Sequence, residues 1–189
     1  MTFVAGVILV QMVSRGQPET GAAEETKTKI KNEVTSNNTR VGNLSANVPD
    51  SWMGIRPSSS MRLMEFRLGV AADDANLAIF KNIGGTIDNN LERWSGQFGY
   101  SSSDSEVNIR AENVNGMLVS IISILGTYTN TMAFSNATQP KPNYRLLGAI
   151  ADTPDGLYYF KLTGPNTVIT IRIEEFTLFI QSLRYDKIG

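Results

Sequence analysis

Met117 to Leu125 reads MLVSIISIL, a run that is apolar on both faces of an extended chain. Successive side chains of a strand point to opposite faces, so a run of this kind is stable only inside a sheet covered on both sides. The chain must therefore supply two covering layers, and that requirement constrains everything else. Asn115-Gly116 stands immediately before the run, and before it Val107, Ile109 and Ala111 alternate with Asn108, Arg110 and Glu112. Asn-Gly tolerates positive φ at both central positions of a two-residue turn, so the two segments read as a hairpin.

One covering layer is legible from Thr86 to Phe98. Ile87, Leu91, Trp94 and Phe98 recur at helical spacing and form one apolar stripe. Thr86 is placed to cap the N-terminus, Asp88 puts a negative charge in the first turn, and Gly99 is placed to end the helix. The second layer is expected from Thr167 to about Arg184, opened by Gly164-Pro165-Asn166. There Val168, Ile171, Phe176, Phe179, Ile180 and Leu183 share a broad face. Ile169, Ile171 and Ile173 also fit a strand, but the length and the later spacing favour a helix.

Further strands are expected at Leu44–Val48, with a corner at Pro49-Asp50-Ser51-Trp52, at Arg62–Leu68 and at Asn76–Ile83. In the second of these, Met64, Phe66 and Leu68 lie on one side and Leu63, Glu65 and Arg67 on the other. Tyr144–Asp152 and Leu157–Thr163 form a hairpin about Pro154-Asp155-Gly156. Gly126–Pro142 reads as an irregular, mobile loop, and Gly69–Ala75 as a loop carrying Asp73-Asp74. The fold class is α+β: an antiparallel sheet of about six to seven strands flanked by helices on both faces.

The organisation outside this domain is simple. Residues 1–13, MTFVAGVILVQMV, resemble the apolar part of a secretory signal or membrane anchor, although no Lys or Arg precedes them; a buried N-terminal strand is the other reading. Residues 14–42 are polar, with mixed charges and little to bury, and read as a flexible linker. Residues 43–189 make a single domain of ordinary size.

The chain contains no histidine and no cysteine. Ser-His-Asp and Cys-His catalysis, Cys/His zinc sites and disulfides are thereby excluded. A net charge of −1 with no strongly basic stretch argues against nucleic acid as a partner. No cofactor is expected.

Candidate binding residues gather on the Thr86–Phe98 helix. Asn90, Trp94 and Gln97 share a side and Arg93 flanks them; the amides and the guanidinium suit polar groups of a ligand, while Trp94 offers stacking area or simply core packing. Arg62 is placed to meet an anionic ligand together with Arg93, or to pair with Glu65, Glu92 or Asp88. Asp73-Asp74, Asp104 with Glu106, and Asp152 with Asp155 have oxygen donors but not the spacing of a calcium loop, so no metal site is expected.

The run Trp52, Met61-Arg62, Phe66, Gly84-Gly85, Asn90, Arg93-Trp94, Gln97-Phe98, Gly126-Tyr128, Leu147-Gly148, Phe160 and Gly164-Pro165 resembles a group of uncharacterised exported bacterial proteins. The order of elements over about residues 44–185 also resembles the α/β/α sandwich of the PsbP-like domains, extrinsic subunits of photosystem II and their relatives. The resemblance implies a non-enzymatic, exported accessory module. None of PsbP's functional residues has a counterpart to carry over.

The expected function is thus a non-catalytic binding or interaction module, periplasmic or tethered on the outer side of the cytoplasmic membrane. Its expected partner is a protein or small molecule of the cell envelope, with N-terminal membrane association. The alternative is a small hydrolase or lyase using carboxylates, Tyr128 or Lys161, recognisable by two carboxylates converging in a pocket.

Overall fold

The computed structural model describes residues 36–69, 75–129 and 139–186. The apolar N-terminal run, the linker up to residue 35 and Asp73-Asp74 lie outside them.

The chain enters through β1 (Ser36–Val41), which pairs antiparallel with β2 (Leu44–Pro49) from Ser36↔Pro49 to Val41↔Leu44. Residues 36–41, expected as linker, are therefore part of the folded domain, anchored where Val41 is buried. After the corner, closed by the Trp52 amide donating to the Pro49 carbonyl, come β3 (Met53–Ile55), β4 (Arg62–Leu68) and β5 (Ala75–Lys81). Helix α1 (Ile87–Gly96) follows, capped by Thr86 as expected. The hairpin of β6 (Val107–Val114) and β7 (Met117–Tyr128) turns on Asn115 and Gly116, at φ 49° and 88°. Both values are positive, as a tight turn matching the twist of the strands requires.

The second hairpin joins β8 (Lys141–Thr153) to β9 (Gly156–Pro165). Residues 126–128 and 141–142, read from sequence as loop, thus continue the strands.

The main sheet has seven antiparallel strands in the order β3-β4-β5-β9-β8-β7-β6. β7 is an inner strand, as its two apolar faces demand, but the centre belongs to β9. There Tyr158, Tyr159 and Phe160 are all at 1% exposure or below, so both faces of β9 are covered. One face carries Leu91, Trp94 and Phe98 of α1 and its C-terminal end, packed on Ile122, Ile124, Leu146, Ile150 and Tyr159.

The opposite face is covered by something more composite than one helix. The C-terminal region forms α2 (Asn166–Thr170), α3 (Ile173–Gln181) and β10 (Arg184–Tyr185), and β10 joins β2 to complete a three-stranded sheet β1-β2-β10. The single helix expected over 167–184 breaks at Ile171-Arg172. The β-branched run Val168-Ile169-Thr170-Ile171 is a weak helix former. Beyond it Glu175, held by Trp52 Nε1 at 2.9 Å and Ser51 Oγ at 3.0 Å, fixes the start of a new helix. In consequence Ile169 is fully buried and Ile171 is 74% exposed, the reverse of the expected face. Among the described residues, no helix is long and apolar enough to cross a membrane.

Candidate functional site

A ten-residue helix is about 15 Å long, and a seven-stranded sheet is about 29 Å wide. Helix α1 therefore covers only part of its face of the sheet. It docks closely over β8: a Cβ on Gly148 would lie 2.5 Å from the Trp94 ring and 2.7 Å from Ile122. The uncovered part, over β4, β5 and the Lys161–Thr163 end of β9, forms a groove beside the helix. Its two adjoining stretches, about 290 Å³ and 250 Å³, share Arg62, Phe80, Tyr128 and Lys161.

Four of the five residues expected from sequence line this groove: Arg62, Arg93, Trp94 and Gln97. Asn90 does not line it. At 1% exposure it donates to the carbonyls of Gly84 (3.0 Å) and Thr86 (2.8 Å), locking the helix start, and its Oδ1 accepts from the Arg93 guanidinium. Its role is to aim Arg93. Trp94, 2% exposed and edge-on to Tyr159 at 6.5 Å, is core with one edge on the groove.

Arg62 reaches the groove through an irregularity. The pairing of β4 with β5 shifts between Arg62 and Met64, where an extra residue is accommodated. Strict alternation would have put Arg62 on the face of Met64 and Phe66; the bulge turns it to the face of Glu65. Glu65, 5% exposed, accepts from Arg62 Nη1 (2.5 Å), Asn76 Nδ2 (2.8 Å) and the Ser58 amide (2.7 Å). Burial pushes its carboxyl up, but the three donors prevail and hold it below the usual carboxylate range.

Lys161 lies two residues from Tyr159 on the same face of β9. Its Nζ donates to Gln97 Oε1 at 2.5 Å and stands 5.7 Å from the centre of the Tyr128 ring. Among the described residues it has no carboxylate partner. Burial first, then the charges of Arg93 and Arg62, lower its pKa to about 7. Tyr128 stacks on Tyr144 at 6.0 Å, with Lys141 over the latter ring at 5.3 Å. Burial raises the Tyr128 phenol, more than the Arg62 charge lowers it, so it is protonated at neutral pH.

Lys141 and Tyr144 were not singled out from sequence, and Lys161 only for the hydrolase alternative. A signal for Lys161 was present: a lone cation in the run Tyr158-Tyr159-Phe160-Lys161-Leu162, inside a strand buried on both faces.

Two of the acids singled out from sequence, Asp104 and Asp155, serve turns. Asp104 accepts from the Ser101 amide at 2.9 Å, and Asp155 from Lys81 at 2.6 Å and Asn43 at 2.7 Å. Among the described residues no cluster of acidic side chains suited to a metal exists, and no pair of carboxylates lines the groove. A smaller cleft of about 150 Å³ between α3 and β6–β7 is lined mainly by Ile121, Leu147, Phe176 and Ile180; its charged residues, Arg110 and Glu112, face each other at 3.8 Å.

No protein-family model and no curated protein matches the sequence. Solved structures do. The solution structure of cyanobacterial PsbP (CyanoP) from Synechocystis sp. PCC 6803 superposes with a TM-score of 0.50 at 13% identity, over 82% of this chain and 95% of that one. The fold is PsbP-like. A protein of unknown function from Pseudomonas aeruginosa, PA94, described as a putative regulator, matches with a TM-score of 0.42 at 11% identity, over 78% and 94% of the two chains. At 13% identity the likeness to the cyanobacterial protein concerns the fold alone.

Proposed function

We propose that this PsbP-like domain is a non-catalytic binding module that holds an anionic ligand in the groove beside α1. One observation carries the reading: the guanidinium groups of Arg62 and Arg93, from two separate elements, converge on one groove with the Lys161 amine. Its nearby acid, Glu65, is already engaged by Arg62, Asn76 and Ser58. Arg93 has no carboxylate partner among the described residues, and a guanidinium so placed attracts a carboxylate or phosphate and fits either through paired N–H donors. The stacked tyrosines at the far end offer a planar apolar wall.

The module acts outside the cytoplasm, released or tethered by its N-terminal run. The apolar stretch Met1–Val13 and the polar tract after it support that reading.

The test is calorimetric titration with inorganic phosphate and with acetate. Arg93→Ala is expected to weaken binding of at least one anion about tenfold, the loss of one charge-assisted contact worth about 1.4 kcal/mol. Arg67→Ala, outside the groove, serves as control. Failure of both anions to bind the wild type at low salt, or equal binding by Arg93→Ala, sinks the proposal.

A further inference from the structure

Lys161 differs from the other cations of the groove. Arg62 is met by Glu65, and Arg93 by the Asn90 amide while keeping its permanent charge. Lys161 donates to an amide oxygen, which cancels no charge, on a wall that it shares with two guanidinium groups. The groups sharing the groove with it are Arg93 of α1 and Gln97 just after that helix, Arg62 from β4, Tyr128 from β7, and Lys141 and Tyr144 from β8, while Glu65 of β4 is engaged by Arg62. The cheapest arrangement there is a neutral amine, consistent with the lowering of its pKa to about 7. A neutral amine in a groove open to small molecules is a nucleophile toward carbonyl carbon.

We propose that Lys161 captures an anionic carbonyl compound, an aldehyde or ketone carrying a carboxylate or phosphate, as a reversible imine, with Arg62 and Arg93 holding the anionic group. The inference rests on the anion-binding reading and extends it to a covalent bond. The Nζ lone pair attacks the carbonyl carbon while the C=O π pair moves to oxygen. A proton passes from nitrogen to that oxygen, giving a carbinolamine. The nitrogen pair then forms C=N and expels the hydroxyl, which takes up a proton and leaves as water. Amine plus carbonyl plus one proton from solvent becomes protonated imine plus water, and no oxidant or reductant is consumed. The anionic group offsets the charge that the protonated imine brings among the guanidinium groups.

The test traps the imine with cyanoborohydride and locates it by peptide mass mapping on the wild-type chain. The probes are pyruvate and glyoxylate for a carboxylate, glycolaldehyde phosphate for a phosphate, and acetaldehyde as an uncharged control. A reduced adduct concentrated on Lys161 is expected, forming about tenfold faster with the better anionic probe than with acetaldehyde. Arg93→Gln is expected to remove that advantage. The trapping rate should rise with pH around a midpoint near 7; a midpoint near that of an ordinary lysine, about 10.4, overturns the proposal. So does labelling spread evenly over the lysines, or absent from Lys161. If lactate, which has no aldehyde or ketone carbonyl, or inorganic phosphate still binds in an Arg93-dependent way, the anion-binding reading survives that failure; if neither does, both fall.

Discussion

Glu65 sits on the side of β4 that alternation alone assigns to solvent, yet it is buried, and three donors hold its charge. Its folded pKa lies below the usual 4.5, so its contribution to stability is complete above that value and is lost as pH falls through the lower folded one. Glu65→Gln is expected to remove this part of the acid dependence; Tm measured from neutral pH downward checks it. Lys161 acts in the other pH range. Its folded pKa of about 7 lies below its ordinary 10.5, so between the two the unfolded chain binds more protons and stability rises with pH. Lys161→Met is expected to flatten that rise in a thermal-melt series from pH 7 to 10. Arg93 and Gln97 could be picked from sequence because an amide and a guanidinium at helical spacing stand out beside an apolar stripe, and Arg62 as a second guanidinium at the entry to a strand. Asn90 shows the limit: the same spacing fits a residue that reaches the ligand and one that ties down its own helix.

At the scale of elements, α1 was fully legible, since its stripe, Thr86 cap and terminating Gly99 are local signals. The position where it docks was not. Gly148, in the middle of β8, carries no local mark, yet a Cβ there would meet Trp94 and Ile122. Gly148→Ala is expected to cost about 1–3 kcal/mol by overpacking and to weaken anion binding as α1 lifts; denaturant unfolding and titration measure the two effects. The C-terminal region was misread for a physical reason: helical spacing was continued through a β-branched run where the chain instead breaks. Ile169→Ala is expected to cost about 2–5 kcal/mol and Ile171→Ala, on the exposed side, less than about 0.5 kcal/mol. Equal losses in urea unfolding would restore the single-helix reading.

At the scale of the whole domain, both faces of the sheet carry a packed layer, as Met117–Leu125 demanded, with part of the α1 face left open as the groove. β1 extends that covering beyond the boundary read from sequence, because a strand that pairs along one edge and buries chiefly Val41 leaves little hydrophobic signal. Removing residues up to 42 is expected to lower the unfolding free energy by at least about 1.5 kcal/mol, the burial of one valine, visible as a shift in the urea midpoint. The local pattern of apolar and turn-forming residues was enough by itself to determine the antiparallel α+β class, the α1 helix and both hairpins. Periodicity and turn chemistry act over a few residues and are written in the chain. The groove was decided only in three dimensions. It depends on the order β5-β9-β8 that brings Lys161 beside α1, on a bulge that turns Arg62 to the face of Glu65, and on a helix too short to cover the sheet. These are long-range pairings, set by how the whole core packs, and no window of sequence contains them.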